Sequence, residues 1–439
     1  MASHRPYSWA RYWSKAGHDV TVVCAKYGPA FDDLECDLHG FQLIQVPWLP
    51  SFLEGMYRRE NNSKQRQEPA TVVRRCVNGV VKIATRTLSQ LQQRYGVLFA
   101  QRFPDVFFMW RKLAYRQLVK HQSWDVVVST NGPYATHLLA YDLKRTGRVK
   151  SWVADYRDLW TDHHVYNGMW PFTIYERWLE RRVLRSADAA STISEPLADC
   201  LRQRNPGLCV RTIENGFEEA DLDLLAPEPY FPDDGIVRIV YTGWIQAGVR
   251  DPSALFQAIS MLEQELQAKQ STPSANLPLE IVTVGPVSEV VAGIARQFNV
   301  EKYVRQLGFK TRSECLRIQR DAHILLFLEY QSTEHKGLLS GKIFEYVFAG
   351  TEIWAIGKEA DDSVARMLDT SNAGKHFSTD VAAIKHELAV VTANTTKRMQ
   401  QPNAKYLSTF TRKNRAEAMI TLVEEVYTES VSNDGIAHC

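Results

Sequence analysis

Between residues 337 and 350 the chain reads GLLSGKIFEYVFAG, shortly after the apolar run AHILLFL at 322–328. Glycines at a strand-to-helix turn let the backbone close on a ligand, and the first helical turn offers unpaired N–H groups at the positive end of the helix dipole. Lys342 places a point charge next to Gly341, a combination suited to a diphosphate. Glu345 lies three residues on, sharing the face of Lys342, where a carboxylate can accept two hydrogen bonds from a ribose diol. A lone K-x-x-E is also the pattern of a surface ion pair. The glycine loop and the strand before it leave the two readings level.

A second cation, Arg250, stands in YTGWIQAGVRDPSALFQAI (241–259). Gly243 closes a strand there, and Asp251 with Pro252 marks a helix start, so the guanidinium would sit where it can grip phosphate with both arms. A solvated loop arginine fits equally well. In the first half, ADYRDLWTDHHVY (154–166) follows a strand directly. Asp155, Arg157 and Asp158 would lie at that strand's carboxyl end, where acids and an arginine can orient sugar hydroxyls or else cap and brace a loop. His163 and His164 beside Asp162 lack further ligands at metal-binding spacing, so no metal is expected. Phosphate-binding P-loop, nucleophile-elbow and zincin motifs are all missing.

These candidates need elements to hold them. Short apolar runs such as WDVVVS (124–129), VKSWVA (149–154), IVRIVYTG (236–243) and LEIVTVG (279–285) alternate with amphipathic stretches. Such alternation predicts α/β architecture with parallel strands covered on both faces. The stretch LAPEPYFPDDG (225–235) breaks helix and strand alike, so two doubly wound domains are expected, 1–226 and 227–400, with a cleft between them. A tail, 401–439, carries a helix near 411–428 that would pack back on the first domain.

The 439 residues hold 52 Lys and Arg against 50 Asp and Glu, a near-neutral balance that argues against a nucleic-acid coat. Seven cysteines without a C-x-x-C pair argue against a disulfide framework and point to a reducing, cytoplasmic setting. No run approaches the roughly 20 apolar residues that span a bilayer. Locally, residues 50–120 are basic, with 14 Lys and Arg against four acids, and VLFAQRFPDVFFMW (97–110) adds an apolar face. That segment reads either as a contact with anionic membrane or as a helical insertion. The chain also opens on helix, SWARYWSKAG, where a doubly wound domain would open on a strand and a glycine turn.

Taken in order, RPYSWARYWSKAGHDVTVV, VADYRDLW, ISEPLADCLRQR, IENGF, YTGWIQAGVRDPSALFQAI, LGFKTRSECLRIQRDAHILLFL and GKIFEYVFAGTEIWAIG resemble the GT-B glycosyltransferases of family 4, the group 1 transferases of bacterial surface polysaccharide assembly. The resemblance implies a two-domain GT-B fold whose first strand is missing here. It implies transfer, with retention, of a sugar from a UDP- or GDP-sugar to a saccharide or polyprenyl-linked acceptor, without cofactor, obligatory metal or nucleic acid. Gly243, Gly341, Arg250 and Lys342 would hold the diphosphate, Glu345 the ribose, and Gly308 with Phe309 would flank the base. Asp155, Arg157 and Asp158 would face acceptor and transferred sugar. Where the family places a glutamate eight residues before Glu345 this chain has Gly337, and Glu334 is out of register. A scaffold that binds nucleotide sugar without turnover, and a nucleotide-sugar epimerase, are the alternatives. The resemblance places the protein in the cytoplasm, at the inner face of the membrane where the acceptor is lipid-linked.

Overall fold

The computed structural model describes residues 4–26, 38–47, 95–96, 102–103, 107–121, 123–163, 166–224, 227–245, 248–269, 276–330, 339–357, 363–397, 400 and 402–436. The chain divides into two compact units, one made of 2–213 with 416–439 and the other of 214–415. Both are Rossmann-like α/β layers with parallel sheets, the architecture of the GT-B fold. The proline-rich stretch 225–235 thus lies inside the second unit, and the chain passes between units at 213/214 and 415/416. The basic segment 50–120 falls mostly outside the described residues, as do Glu334 and Gly337.

In the first unit the described elements are α1 (His4–Lys15), β1 (Thr21–Lys26), β2 (Gln42–Pro47), α2 (Phe107–Leu118), β3 (Trp124–Thr130), α3 (Ala135–Arg145), β4 (Val149–Tyr156), α4 (Phe172–Leu184), β5 (Ala189–Thr192), α5 (Glu195–Arg204) and β6 (Cys209–Thr212). The strands form two separate ladders: β1 with β2, and β3-β4-β5-β6. Within the second ladder, β4 sends Trp152, Ala154 and Tyr156 into a core shared with α3, α4 and α5. Val153 goes to the opposite face, where Trp9 of α1 meets Ile213, Met419 and Leu422. Two-sided coverage was expected for every strand, but β1 and β3 are largely half-buried, because among the described residues each has only one neighbouring strand.

The second unit runs β7 (Val237–Thr242), α6 (Ser253–Lys269), β8 (Leu279–Val284), α7 (Glu289–Gln297), β9 (Val304–Gln306), α8 (Arg312–Asp321), β10 (Ile324–Leu328), α9 (Gly341–Ala349), β11 (Glu352–Ile356), α10 (Ser363–Ser371), β12 (Gly374–His376), α11 (Val381–Ala393), α12 (Ala404–Ser408) and α13 (Arg412–Ile436), the last continuing into the first unit from Ala416. Six parallel strands make one sheet, β12-β11-β10-β7-β8-β9. Ile239 and Tyr241 of β7, Leu326 of β10 and Trp354 of β11 face one core, while Val240, Leu325 and Ile353 face the other. Burial on both faces explains why these strands read as unbroken apolar runs. The chain goes β7, β8, β9 in one direction and resumes at β10 on the other side of β7. That reversal makes β7 and β10 the switch point, where the carboxyl ends of open parallel sheets leave a crevice for ligands.

Candidate functional site

At the carboxyl end of β7 the chain needs glycine. Gly243 has φ +131, and a Cβ there would meet the Lys342 ammonium at 2.0 Å. The adjacent strand ends the same way: Gly285 has φ +145, and a Cβ would meet the Gly243 carbonyl oxygen at 2.5 Å. The Gly285 amide donates to the Gly308 carbonyl at 3.0 Å, and the Gly243 amide to Val284 at 2.6 Å. Three neighbouring strands therefore end in a ledge of bare backbone. Phe309 stands next to it, 81% exposed, with Trp244 and Val287 also exposed.

Lys342 reaches the ledge from the first turn of α9. Its ammonium donates to the Tyr241 hydroxyl at 3.1 Å and lies 4.6 Å from the centre of that ring. The Arg250 guanidinium acts electrostatically on the same phenol, just before Asp251, whose carboxylate accepts the Ser253 amide at 2.9 Å and caps α6. Desolvation first, and then the neighbouring Arg250, push the Lys342 ammonium down to about 7. Burial pushes the Tyr241 phenol up to about 12. Neither cation is in a salt bridge among the described residues. Helix α9 adds to the positive field: Ser340 precedes it without a side-chain cap, leaving the amides of Gly341 and Lys342 for another acceptor.

Glu345 is buried and accepts from Arg312 at 3.2 Å, while Arg312 also grips Asp221. One turn after Lys342, Tyr346 accepts the Thr242 amide at 2.9 Å and so fixes α9 against the end of β7. Lys342 interacts electrostatically with both Arg250 and Glu345, so the second unit brings these three residues together. Tyr241, Gly285, Arg312 and Tyr346 were not anticipated. Thr311-x-x-Glu314, a capping box present in the structure, was the one local signal that put Arg312 at a helix start.

The first unit treats its candidates differently. Asp155 was expected to face a ligand but is fully buried. Its oxygens accept from Arg5 at 2.9 and 3.3 Å, from Thr130 at 2.7 Å and from Ser191 at 2.8 Å. Arg5 also donates to the Ile213 carbonyl at 2.8 Å. The carboxylate is filled and locks α1 onto the sheet. Arg157 and Asp158 follow β4 as a partly buried ion pair at 3.1 Å, and the Asp158 carbonyl accepts from Asn131 at 2.8 Å.

Residues 2–216 match a family model described as a glycosyl transferase 4-like domain. Over that span the chain is similar to glycosyl transferase 4-like domains. No curated protein matches it significantly. Among solved structures, sucrose-phosphate synthase from Thermosynechococcus elongatus superposes with TM-score 0.60 at 12% identity, covering 96% of this chain and 92% of that one. A glycosyltransferase from Rickettsia africae gives 0.59 at 13%, covering 99% and 96%. Anabaena HepE, in complex with UDP and glucose, gives 0.52 at 13%, covering 99% and 95%. These superpositions speak for the GT-B fold along nearly the whole chain.

Proposed function

We propose that the protein is a retaining glycosyltransferase that moves a sugar from a nucleoside diphosphate sugar to a saccharide or polyprenyl-linked acceptor in surface polysaccharide synthesis. The supporting observation is Lys342 on the Tyr241 phenol, with Arg250 acting electrostatically on both, beside uncapped helix amides. Holding two like charges together costs free energy that a bound polyanion would return. A diphosphate suits the place, because it can take the guanidinium, the ammonium and the amides of Gly341 and Lys342 together.

In this reading charge builds on the diphosphate as the glycosidic bond breaks, and the fixed cations and amides stabilise it most in the transition state. The leaving phosphate takes the acceptor proton, so no protein base is required. Glu345, oriented by Arg312, takes the ribose diol, and Gly308 with Phe309 bounds the base. Arg157 and Asp158 orient sugar hydroxyls on the acceptor side, whereas Asp155 serves as an internal brace. The domain assignment proposed with this function gives 227–400 the donor and 1–226 the acceptor.

HepE's complex makes UDP-glucose the first donor to test. Calorimetry with UDP and GDP, followed by donor turnover with and without lipid-linked acceptor, examines the proposal. Failure of both nucleotides to bind would remove it. Among the described residues the strands of the first unit fall into two ladders rather than one sheet, which favours a second reading, a nucleotide-sugar-binding scaffold without turnover. That reading requires tight UDP binding with neither hydrolysis nor transfer. Sugar isomerisation in a donor-only incubation would instead indicate the epimerase.

A further inference from the structure

Helix α4 of the first unit is inside out. It buries Glu176, Glu180, Val183 and Leu184, and exposes most of its aromatic and basic residues. Glu176 is satisfied inside by Arg102 at 3.0 Å, and Glu180 by Thr161. On the outside, Trp170 is 78% exposed, Ile174 65% and Trp178 51%. Ile174, Trp178, Arg181 and Arg185 follow at spacings of four, three and four, which puts them on one stripe of the helix. Tyr175 and Arg182 flank that stripe, and the Arg182 guanidinium lies 5.3 Å from the Trp178 ring.

The patch continues beyond the helix. Tyr175 packs 5.9 Å from Trp178 and 5.3 Å from Phe103, and Phe103 lies 6.4 Å from Phe108 of α2. One further cation, Lys112, sits 5.8 Å from the Phe108 ring, whereas Arg111 beside it is taken by Asp142 at 2.6 Å. Among the described residues, Arg181, Arg182 and Arg185 have no carboxylate partner. An exposed apolar strip this long is uncommon on a surface that meets only water.

We propose that α4 and the adjoining aromatic cluster dock the first unit on an anionic lipid bilayer. Trp170, Ile174 and Trp178 would enter the headgroup region, and Arg181, Arg182 and Arg185 would meet lipid phosphates. Indole and phenol rings are suited to that depth, with an apolar body and a polar edge, and arginines beside them extend toward the phosphates. The charge on the patch complements such a membrane: arginine is its only exposed ionised residue type on α4, since both glutamates of the helix point inward. An acidic protein would satisfy the guanidinium groups but offers no apolar layer for Trp170, Ile174 and Trp178. The inference stands independently of the nucleotide site.

The test is co-sedimentation of the full chain with phosphatidylcholine vesicles, with and without about one-third phosphatidylglycerol. Partitioning should be about tenfold stronger into the anionic vesicles and should weaken at about 0.5 M salt. Trp170→Ser with Trp178→Ser should lower it about tenfold, and Arg181→Glu with Arg182→Glu should erase the preference for anionic lipid. Thermal melts should not move, because all four side chains are exposed. Equal partitioning into both vesicles, or variants that sediment like the parent, would overturn the proposal. So would a dimer that the tryptophan variant dissociates, since the patch would then be an interface between two copies.

Discussion

The two units place charged residues at the carboxyl ends of their strands and use them in opposite ways. In the first, Asp155 and Arg5 neutralise one another at 2.9 Å, with Thr130 and Ser191 completing the carboxylate's bonds. In the second, Lys342 donates to one tyrosine hydroxyl with the Arg250 charge acting on both, and the nearby acid, Glu345, is held by Arg312. A buried pair with every bond made acts as a brace. Two cations that the described residues leave without a salt bridge are suited to receive an anion, which is the role proposed for Arg250 and Lys342. Perturbed groups at a sheet's switch point are where binding sites concentrate.

The sharpest way to break that contrast is to remove one partner from each cluster. Asp155→Ala leaves Arg5 buried without its acid and should cost about 3–5 kcal/mol of stability, read as a lower urea midpoint, with UDP affinity unchanged wherever the protein remains folded. Lys342→Ala should do the reverse: about 100-fold weaker UDP binding by calorimetry and an unchanged or raised midpoint, because a desolvated ammonium is removed. If Asp155→Ala weakened UDP binding as much as Lys342→Ala, the contrast would be lost.

A smaller effect tests the ledge. Gly243→Ala places a methyl where the Lys342 ammonium now lies, at a φ of +131. UDP affinity should fall about 30-fold, or roughly 2 kcal/mol, by displacement of the cation.

The pH dependence follows from the Lys342 value of about 7. The diphosphate prefers the protonated ammonium, so binding takes up a proton wherever free Lys342 is neutral. Affinity for UDP should therefore fall as pH rises from 7 to 9, by up to about tenfold per unit. Lys342→Arg should flatten that slope. A slope unchanged in the arginine variant would assign the proton elsewhere. The smallest change expected is from Arg312→Gln, which frees Glu345 and should weaken UDP a few-fold while leaving pyrophosphate binding as it was.

Much of the second unit was legible because its strands are buried on both faces and announce themselves as apolar runs. The observed β7, β8 and β10 fall within the runs at 236–243, 279–285 and 322–328. The short strands β6, β9 and β12 carry three or four residues each, too few for a period to register. Helix α11 was readable but unread: Ile384, Leu388 and Val391 repeat at helical spacing behind the Asp380 cap. The K-x-x-E of α9 was visible because both members share one helix. Tyr241 lies 101 positions from Lys342, and Asp221 lies 91 from Arg312. Pairings at such separations are made by the sheet, and no local pattern encodes them. The same limit explains Asp155, whose partner Arg5 is 150 positions away.

The most direct measurement compares uridine, UDP and inorganic pyrophosphate on the full chain and on Lys342→Ala, by calorimetry at pH 7. Pyrophosphate should bind by itself, UDP should exceed uridine by about two orders of magnitude, and Lys342→Ala should erase that advantage while leaving uridine unaffected. Uridine binding as tightly as UDP, or a variant that keeps the full preference for the diphosphate, would contradict a polyanion seat at Arg250 and Lys342.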